Sequence, residues 1–202
     1  MERVVAYIDG FNLYFGMKQN GNDSLWLNVQ ALVKSLLKAN QQLVYTKYFT
    51  SRVRNNPDKE KRQKIYIEAL ETLADCDIIY GHYQSHIEKC RKCGHTYPYS
   101  NEKMTDVNIA VSMMEDAFAD KYETAFLISG DSDLIPPVNS IHQLFPQKRV
   151  FVAFPPNRFN VSVKNAAKGS MTIGKSSLRN TQFNNSLVNT SSYLIKRPEE
   201  WQ

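Results

Sequence analysis

The sequence predicts an α/β fold, a Rossmann-like three-layer sandwich with a mostly parallel central sheet between helices. Three observations carry that expectation. Short apolar runs alternate with segments of helical periodicity, the pattern that parallel strands joined by right-handed crossovers impose. Two of the runs, at residues 4–8 and 125–128, lead into carboxylates (Asp9; Asp131 and Asp133), as strands do where an open α/β sheet builds a site at its carboxyl edge. The third is size: 202 residues with 42% hydrophobic content suit one α/β unit with a substantial core.

The elements follow in order. Residues 4–8 are apolar throughout, which predicts a central strand covered on both faces. Trp26, Val29, Leu32, Val33, Leu36 and Leu37 recur at helical spacing and predict a helix over 26–39. Residues 43–49 read as a strand. Pro57 opens a helix to residue 73, with Ile65, Ala69, Leu70 and Leu73 as its inner face. A short strand is expected at 77–80. Residues 82–103 lack an apolar period and read as an insertion. Helix Thr105–Phe118, strand 125–128, helix 134–144 and strand Arg149–Phe154 follow, then a helix near 161–167 and a strand near 171–173. This divides the chain into a domain over 1–174 and a C-terminal tail over 175–202, whose apolar residues could dock on the domain or on a neighbour; the oligomeric state stays open.

Each carboxylate has a plain structural use. Asp9-Gly10 is a common turn pair, Asn12 could cap a helix, and Asp131 or Asp133 could cap the helix near Leu134. Two acids flanking Ser132 exceed what one cap needs, and they repel unless a cation lies between them. Asp106 shares a helix face with Ile109, Ala110 and Met113, a face that should pack on the sheet. An unpaired charge buried there is costly. A divalent ion shared by Asp9, Asp106, Asp131 and Asp133 relieves both problems, and Mg²⁺ or Mn²⁺ suits an all-oxygen site.

The charge distribution points to an anionic partner. Residues 1–133 carry 16 Lys/Arg and 18 Asp/Glu, whereas 134–198 carry nine basic residues and no acid. A polyanion such as RNA fits that asymmetry beside a carboxylate cluster. Arg158 and Lys164 from the basic half, with Arg52 and Arg54 before the Pro57 helix, are the candidate nucleic-acid contacts, the alternative for both stretches being a solvated basic surface.

Three strings taken together carry a resemblance: Tyr7-Ile8-Asp9-Gly10-Phe11-Asn12-Leu13, Glu102-Lys103-Met104-Thr105-Asp106-Val107-Asn108-Ile109-Ala110, and Ser129-Gly130-Asp131-Ser132-Asp133. They resemble the NYN domain, a branch of the PIN-like nuclease superfamily that includes the LabA-like proteins, over roughly residues 3–170 and in the right order. The segment Ile195-Lys196-Arg197-Pro198-Glu199-Glu200-Trp201 is similar to the end of one bacterial subgroup. The resemblance implies a PIN-like parallel sheet and a metal-dependent ribonuclease site. Its acidic positions fall on Asp9, Asp106, Asp131 and Asp133, with Asn12 and Ser129 as polar support.

Cys90 and Cys93, with His95 and with His82 and His86 upstream, have the composition of a zinc knuckle. Structural Zn²⁺ and a reduced hairpin with exposed thiols are both compatible with it, and Cys90 and Cys93 are the ligands the spacing supports. Cys76 reads as a small buried residue and His142 as structural. Neither a dinucleotide fingerprint nor a phosphate-binding loop of the GxxxxGK[ST] type is present.

The expectation is therefore a metal-dependent endoribonuclease cleaving single-stranded or structured RNA. Its alternative is an RNA-binding or regulatory adaptor with little or no turnover, and a small-molecule phosphohydrolase is a more distant third. With no apolar run of membrane length, the chain is expected to be cytoplasmic.

Overall fold

An uncharged apolar run such as residues 4–8 is stable as a strand only where both of its faces are covered. The computed structural model describes residues 1–19, 21–54 and 56–201, with the side chains at 83–86 and 98–102 excepted, and it covers that run. β1 (Glu2–Asp9) is buried from Val4 onward. After it, α1 (Gly10–Lys18) and α2 (Val29–Leu36) lead to β2 (Gln41–Thr50), and α3 (Pro57–Leu70) leads to β3 (Cys76–Tyr80). β4 (His82–Lys89) and β5 (Thr96–Lys103) form an antiparallel hairpin before α4 (Thr105–Phe118). β6 (Thr124–Ile128), α5 (Ile135–Leu144), β7 (Arg149–Phe154), α6 (Val161–Ala166) and β8 (Gly169–Thr172) complete the domain. α7 (Lys175–Asn180), an antiparallel pair of β9 (Ser186–Val188) and β10 (Leu194–Lys196), and a 3₁₀ turn at Glu199–Trp201 follow.

The main sheet has six strands in the order β3-β2-β1-β6-β7-β8, every neighbouring pair parallel. The chain builds outward from β1 on one side and then returns to build outward from β6 on the other. The reversal lies between β1 and β6, where Ile8 pairs with Ile128. In an open α/β sheet such a switch point leaves a crevice beyond the strands' carboxyl ends. The expected neighbouring of these two strands is what the structure has.

Alternation along the strands divides the core into two layers. Val4, Ala6 and Ile8 face α1, α2, α3 and the C-terminal segment, beside Trp26, Leu32 and Leu70. Val5 and Tyr7 face α4 and α5, beside Ile109, Met113, Val138 and Ile141. On that second face Asp116 of α4 is 1% exposed and accepts hydrogen bonds from Tyr7 (2.7 Å) and ion pairs from Lys47 (2.6 Å) and Lys121 (3.0 Å). Burial pushes its carboxyl up, but the bonds from Lys47, Tyr7 and Lys121 outweigh that and hold it below the usual carboxylate range.

One feature differs from the sequence reading, and two readings left open there take a definite form. Residues 10–18 form a helix that the Asp9-Gly10 turn reading missed: Asp9 is its N-cap, accepting from the N–H of Asn12 at 2.9 Å, and Asn12 lies inside it. The insertion is a regular hairpin. The segment after Gly174 is integrated into the core, supplying Leu178, Phe183, Ile195 and Trp201 to the cluster around Trp26. Trp201 packs 6.4 Å from Trp26 and 5.9 Å from Tyr66 between ring centroids. Among the described residues no helix is long and apolar enough to cross a membrane.

Candidate functional site

Asp9 ends β1 and Ser129 follows β6, so the parallel register brings them together at the switch point. Ser129 is fully buried; its hydroxyl donates to Asp9 Oδ2 at 2.9 Å and accepts from the Asp131 N–H at 3.1 Å. One hydroxyl thus ties the first carboxylate to the loop bearing the second. Asn12 adds a second tie, its Oδ1 accepting from the Gly130 N–H at 3.0 Å. Asp9 is 4% exposed, with both carboxylate oxygens engaged, Oδ1 by Asn12 and Oδ2 by Ser129. Burial, and then the charge of Asp9, push the neighbouring Tyr48 phenol well above its usual range, so it stays protonated.

Asp106 arrives from the first turn of α4. No side chain caps that helix, whose preceding residue Met104 has φ 78°, and its first two residues, Thr105 and Asp106, line the cleft. Asp9, Asp106 and Asp131 line one polar cleft of about 180 Å³, together with Asn12, Thr105 and Arg158. Asp133 is exposed one turn further on and does not line it; its N–H donates to Asp131 Oδ1 at 3.0 Å. Asp131 therefore caps the 3₁₀ turn Ser132–Leu134, so the capping and site readings of this residue coexist.

Arg158 reaches the cleft from the loop after β7 and also lines an adjoining depression with Gly130 and Asp131. Its Nε is buried and finds no hydrogen-bond partner among the described residues. A guanidinium charge in the lining beside carboxylates suits an anionic group brought between them. The two loops meet closely, since a Cβ on Gly130 would stand 1.9 Å from the Arg158 carbonyl oxygen. Only glycine permits that approach.

The carboxylates offer hard oxygen donors to a divalent ion, and the donor set fits Mg²⁺ or Mn²⁺. Among the described residues no three carboxylates, imidazoles or thiols stand close enough to enclose an ion by themselves.

Other expected contacts are dispersed. Arg52 stacks on Tyr80 at 4.6 Å, while Arg54 and Lys164 are exposed away from the cleft lining. Part of the basic excess is already paired: Lys148 is buried and pairs with Asp120 at 2.6 Å, and Arg179 pairs at the surface with Asp23 at 3.0 Å. His142 accepts from the Val150 N–H at 3.1 Å, a structural role. Burial pushes the Cys76 thiol up to about 12, with a further push from Asp77.

Cys90 and Cys93 lie at the hairpin turn, where the Cys90 N–H donates to the His95 carbonyl at 2.8 Å. Hydrogen bonds from the backbone at Cys93 and Lys92, and from the Cys93 thiol, hold Cys90 below the usual thiol range. His82 starts β4 at the other end of an eight-residue strand, roughly 20 Å or more away, so it cannot complete a site with these thiols. The His86 side chain lies outside the described residues.

Sequence reasoning did not bring Phe11 and Phe15 to the cleft, although both line it. Their i, i+4 spacing directly after Asp9 was the available signal, and it is legible only once residues 10–18 are read as a helix.

A Vibrio parahaemolyticus protein of unknown function has a similar crystal structure, with a TM-score of 0.53 at 17% identity over 86% of this chain and 94% of that one. It shares the fold. A curated relative, the 6-hydroxy-3-succinoylpyridine 3-monooxygenase HspA of Pseudomonas putida (strain DSM 28022 / S16), is 25% identical over 173 residues. Those cover 69% of this chain and 55% of the relative, so the chain spans about half the relative's length. The NYN domain model matches residues 3–174. With the parallel sheet, the switch-point crevice and the three carboxylates in place, that match shows that the chain belongs to the NYN domain family, consistent with a PIN-like nuclease domain.

Proposed function

We propose that this chain is a metal-dependent endoribonuclease that hydrolyses RNA phosphodiester bonds in the switch-point cleft. The observation that carries the reading is the convergence of Asp9, Asp106 and Asp131 with the Arg158 side chain in the lining of one cleft. Asp9, Asp106 and Asp131 would hold Mg²⁺ or Mn²⁺ together with bound waters, and Asp133, two residues beyond Asp131, would be a further ligand or orient a metal-bound water. Bound there, the ion supplies Lewis-acid polarisation of the phosphoryl group and activation of water. Arg158, in the cleft lining, would pair its guanidinium charge with the phosphate. Ser129 and Asn12 fix the Asp9 carboxylate and the Gly130–Asp131 backbone, so these two parts of the cleft are held in place before substrate arrives. Structural Zn²⁺ at Cys90 and Cys93 would be a separate, non-catalytic addition.

The test is cleavage of a mixed-sequence RNA by purified protein. Turnover is expected with Mn²⁺ or Mg²⁺ and is expected to stop in EDTA. Asp131→Asn and Asp9→Asn should each lower the rate by about a hundredfold or more, the range expected when preorganised electrostatic groups are removed. Cleavage that persists in EDTA, or in Asp131→Asn, defeats the mechanism. Salt-sensitive RNA binding without turnover would establish the adaptor alternative instead.

A further inference from the structure

Beside the acidic cleft, across the Phe11 and Phe15 side chains, lies a second pocket of about 190 Å³. Its walls are aromatic: Phe11, Tyr14, Phe15, Tyr48, Tyr66 and Trp201. Lys18, Lys59 and Arg62 line it as well, although Arg62 is engaged by Glu200 at 2.9 Å. Phe11 and Phe15 stack at 6.1 Å, Tyr14 meets Phe15 edge-on at 5.4 Å, and Lys18 lies 5.7 Å from the Tyr14 ring centre. Phe15 is 47% exposed, a large apolar surface left in water at the boundary between pocket and cleft.

We propose that this pocket receives a planar heteroaromatic ring, the nucleobase of a nucleotide flanking the phosphodiester held in the acidic cleft. Three features select that ligand. Aromatic walls stack any base through its π face, which is how proteins hold single strands without reading their sequence. Cations set into the same walls match the phosphates on either side of a base, where a purely apolar ligand would leave them unpaired. The shared Phe11–Phe15 wall puts one nucleotide's base in the pocket and its neighbouring phosphate in the cleft, a continuity that free mononucleotides do not need and a polynucleotide does. The proposal rests on the ribonuclease reading for its substrate, but its test does not depend on turnover.

Equilibrium dialysis in EDTA, with AMP, ribose 5-phosphate and 3-hydroxypyridine as probes, separates the possibilities. AMP should bind at least tenfold more tightly than ribose 5-phosphate, which has no base, and than 3-hydroxypyridine, which has no phosphate. Phe15→Ala and Tyr14→Ala should each weaken AMP by about tenfold, the range for losing one stacking partner. Lys18→Ala, at an exposed residue, should weaken AMP while leaving adenosine unchanged. Equal binding of AMP and ribose 5-phosphate, or pocket variants that bind AMP as wild type does, overturns the assignment. Binding of 3-hydroxypyridine as tight as AMP also overturns it, and marks the pocket as a site for small free rings. AMP bound as expected by a protein that cleaves no RNA upholds the pocket and defeats the nuclease reading alone.

Discussion

Gly130 holds the two halves of the site together by having no side chain. A methyl there would stand 1.9 Å from the Arg158 carbonyl oxygen and 3.0 Å from its carbonyl carbon, both backbone atoms that no rotamer change can move. Relief requires the loops after β6 and β7 to part, at about 1–3 kcal/mol for overpacking of this kind. Gly130→Ala is therefore expected to lower the melting temperature by several degrees, at roughly 2–4 °C per kcal/mol for a chain of this size. RNA cleavage should fall more than tenfold, because Arg158 moves away from Asp131. Gly174→Ala is the control: nothing lies within 4 Å of the added methyl, so its melt should match wild type within about 2 °C. Identical melts and activities for the two variants would show that the loops are not held in contact through Gly130.

At the scale of elements, legibility followed burial on two faces. β1 and β6 announced themselves because a strand covered by helices on both sides must be apolar throughout, and α4 because one stripe of it, Ile109, Met113 and Ala117, packs on the sheet. The carboxylates at the strand ends were legible for the same reason, since an apolar run that stops at an acid marks the sheet's edge. α1 was not legible. Its aromatic residues are distributed around the helix between core, pocket and cleft, so no single apolar stripe appears, and Asp9-Gly10 imitates a turn while acting as cap and first residue. The hairpin forms a sheet of its own outside the main one, and its described side chains are mostly exposed, so no buried stripe imposes an apolar period on them. α5 and β7 are tied by a contact with a measurable pH signature. His142 accepts the Val150 N–H through Nε2 and is kept below the usual histidine range by burial, then by the charge of Lys168, against a weaker opposite pull from a backbone bond at Ala166. Protonation costs more in the folded chain than in the unfolded one, so stability is fully present above the ordinary histidine value of about 6.5 and is lost as pH falls toward the lowered folded value. Urea unfolding between pH 8 and 5 should show that decline, and His142→Gln, whose amide oxygen can still accept, should flatten it. An unchanged slope in His142→Gln would assign the decline to other groups.

For the whole molecule, the boundary of the family match and the boundary of the core disagree. The NYN match ends at residue 174, and the sequence reading placed the domain limit there too, yet the buried cluster around Trp26 includes Leu178, Phe183, Ile195 and Trp201 from beyond it. The Trp26 indole donates to the Asn184 carbonyl at 2.9 Å, and the Asn28 N–H that precedes α2 donates to the Thr181 carbonyl at 2.9 Å. Burying a side chain of that size is worth about 1.5–3 kcal/mol, so four of them contribute on the order of 6–12 kcal/mol. That is comparable with the entire net stability of a typical domain, about 5–15 kcal/mol. We therefore expect residues 1–174 alone to be at most marginally folded, although they contain the complete family match and every carboxylate of the cleft. The aromatic pocket would also lose its Trp201 wall, so the effect should reach function as well as stability. Thermal melts of 1–174 against the full chain decide this, alongside Trp201→Ala in the full chain, where one aromatic is removed and a loss of about 3–5 kcal/mol is expected. Melting of 1–174 within about 2 °C of the full chain would show that the C-terminal segment is an appendage lying on a self-sufficient domain rather than part of its core.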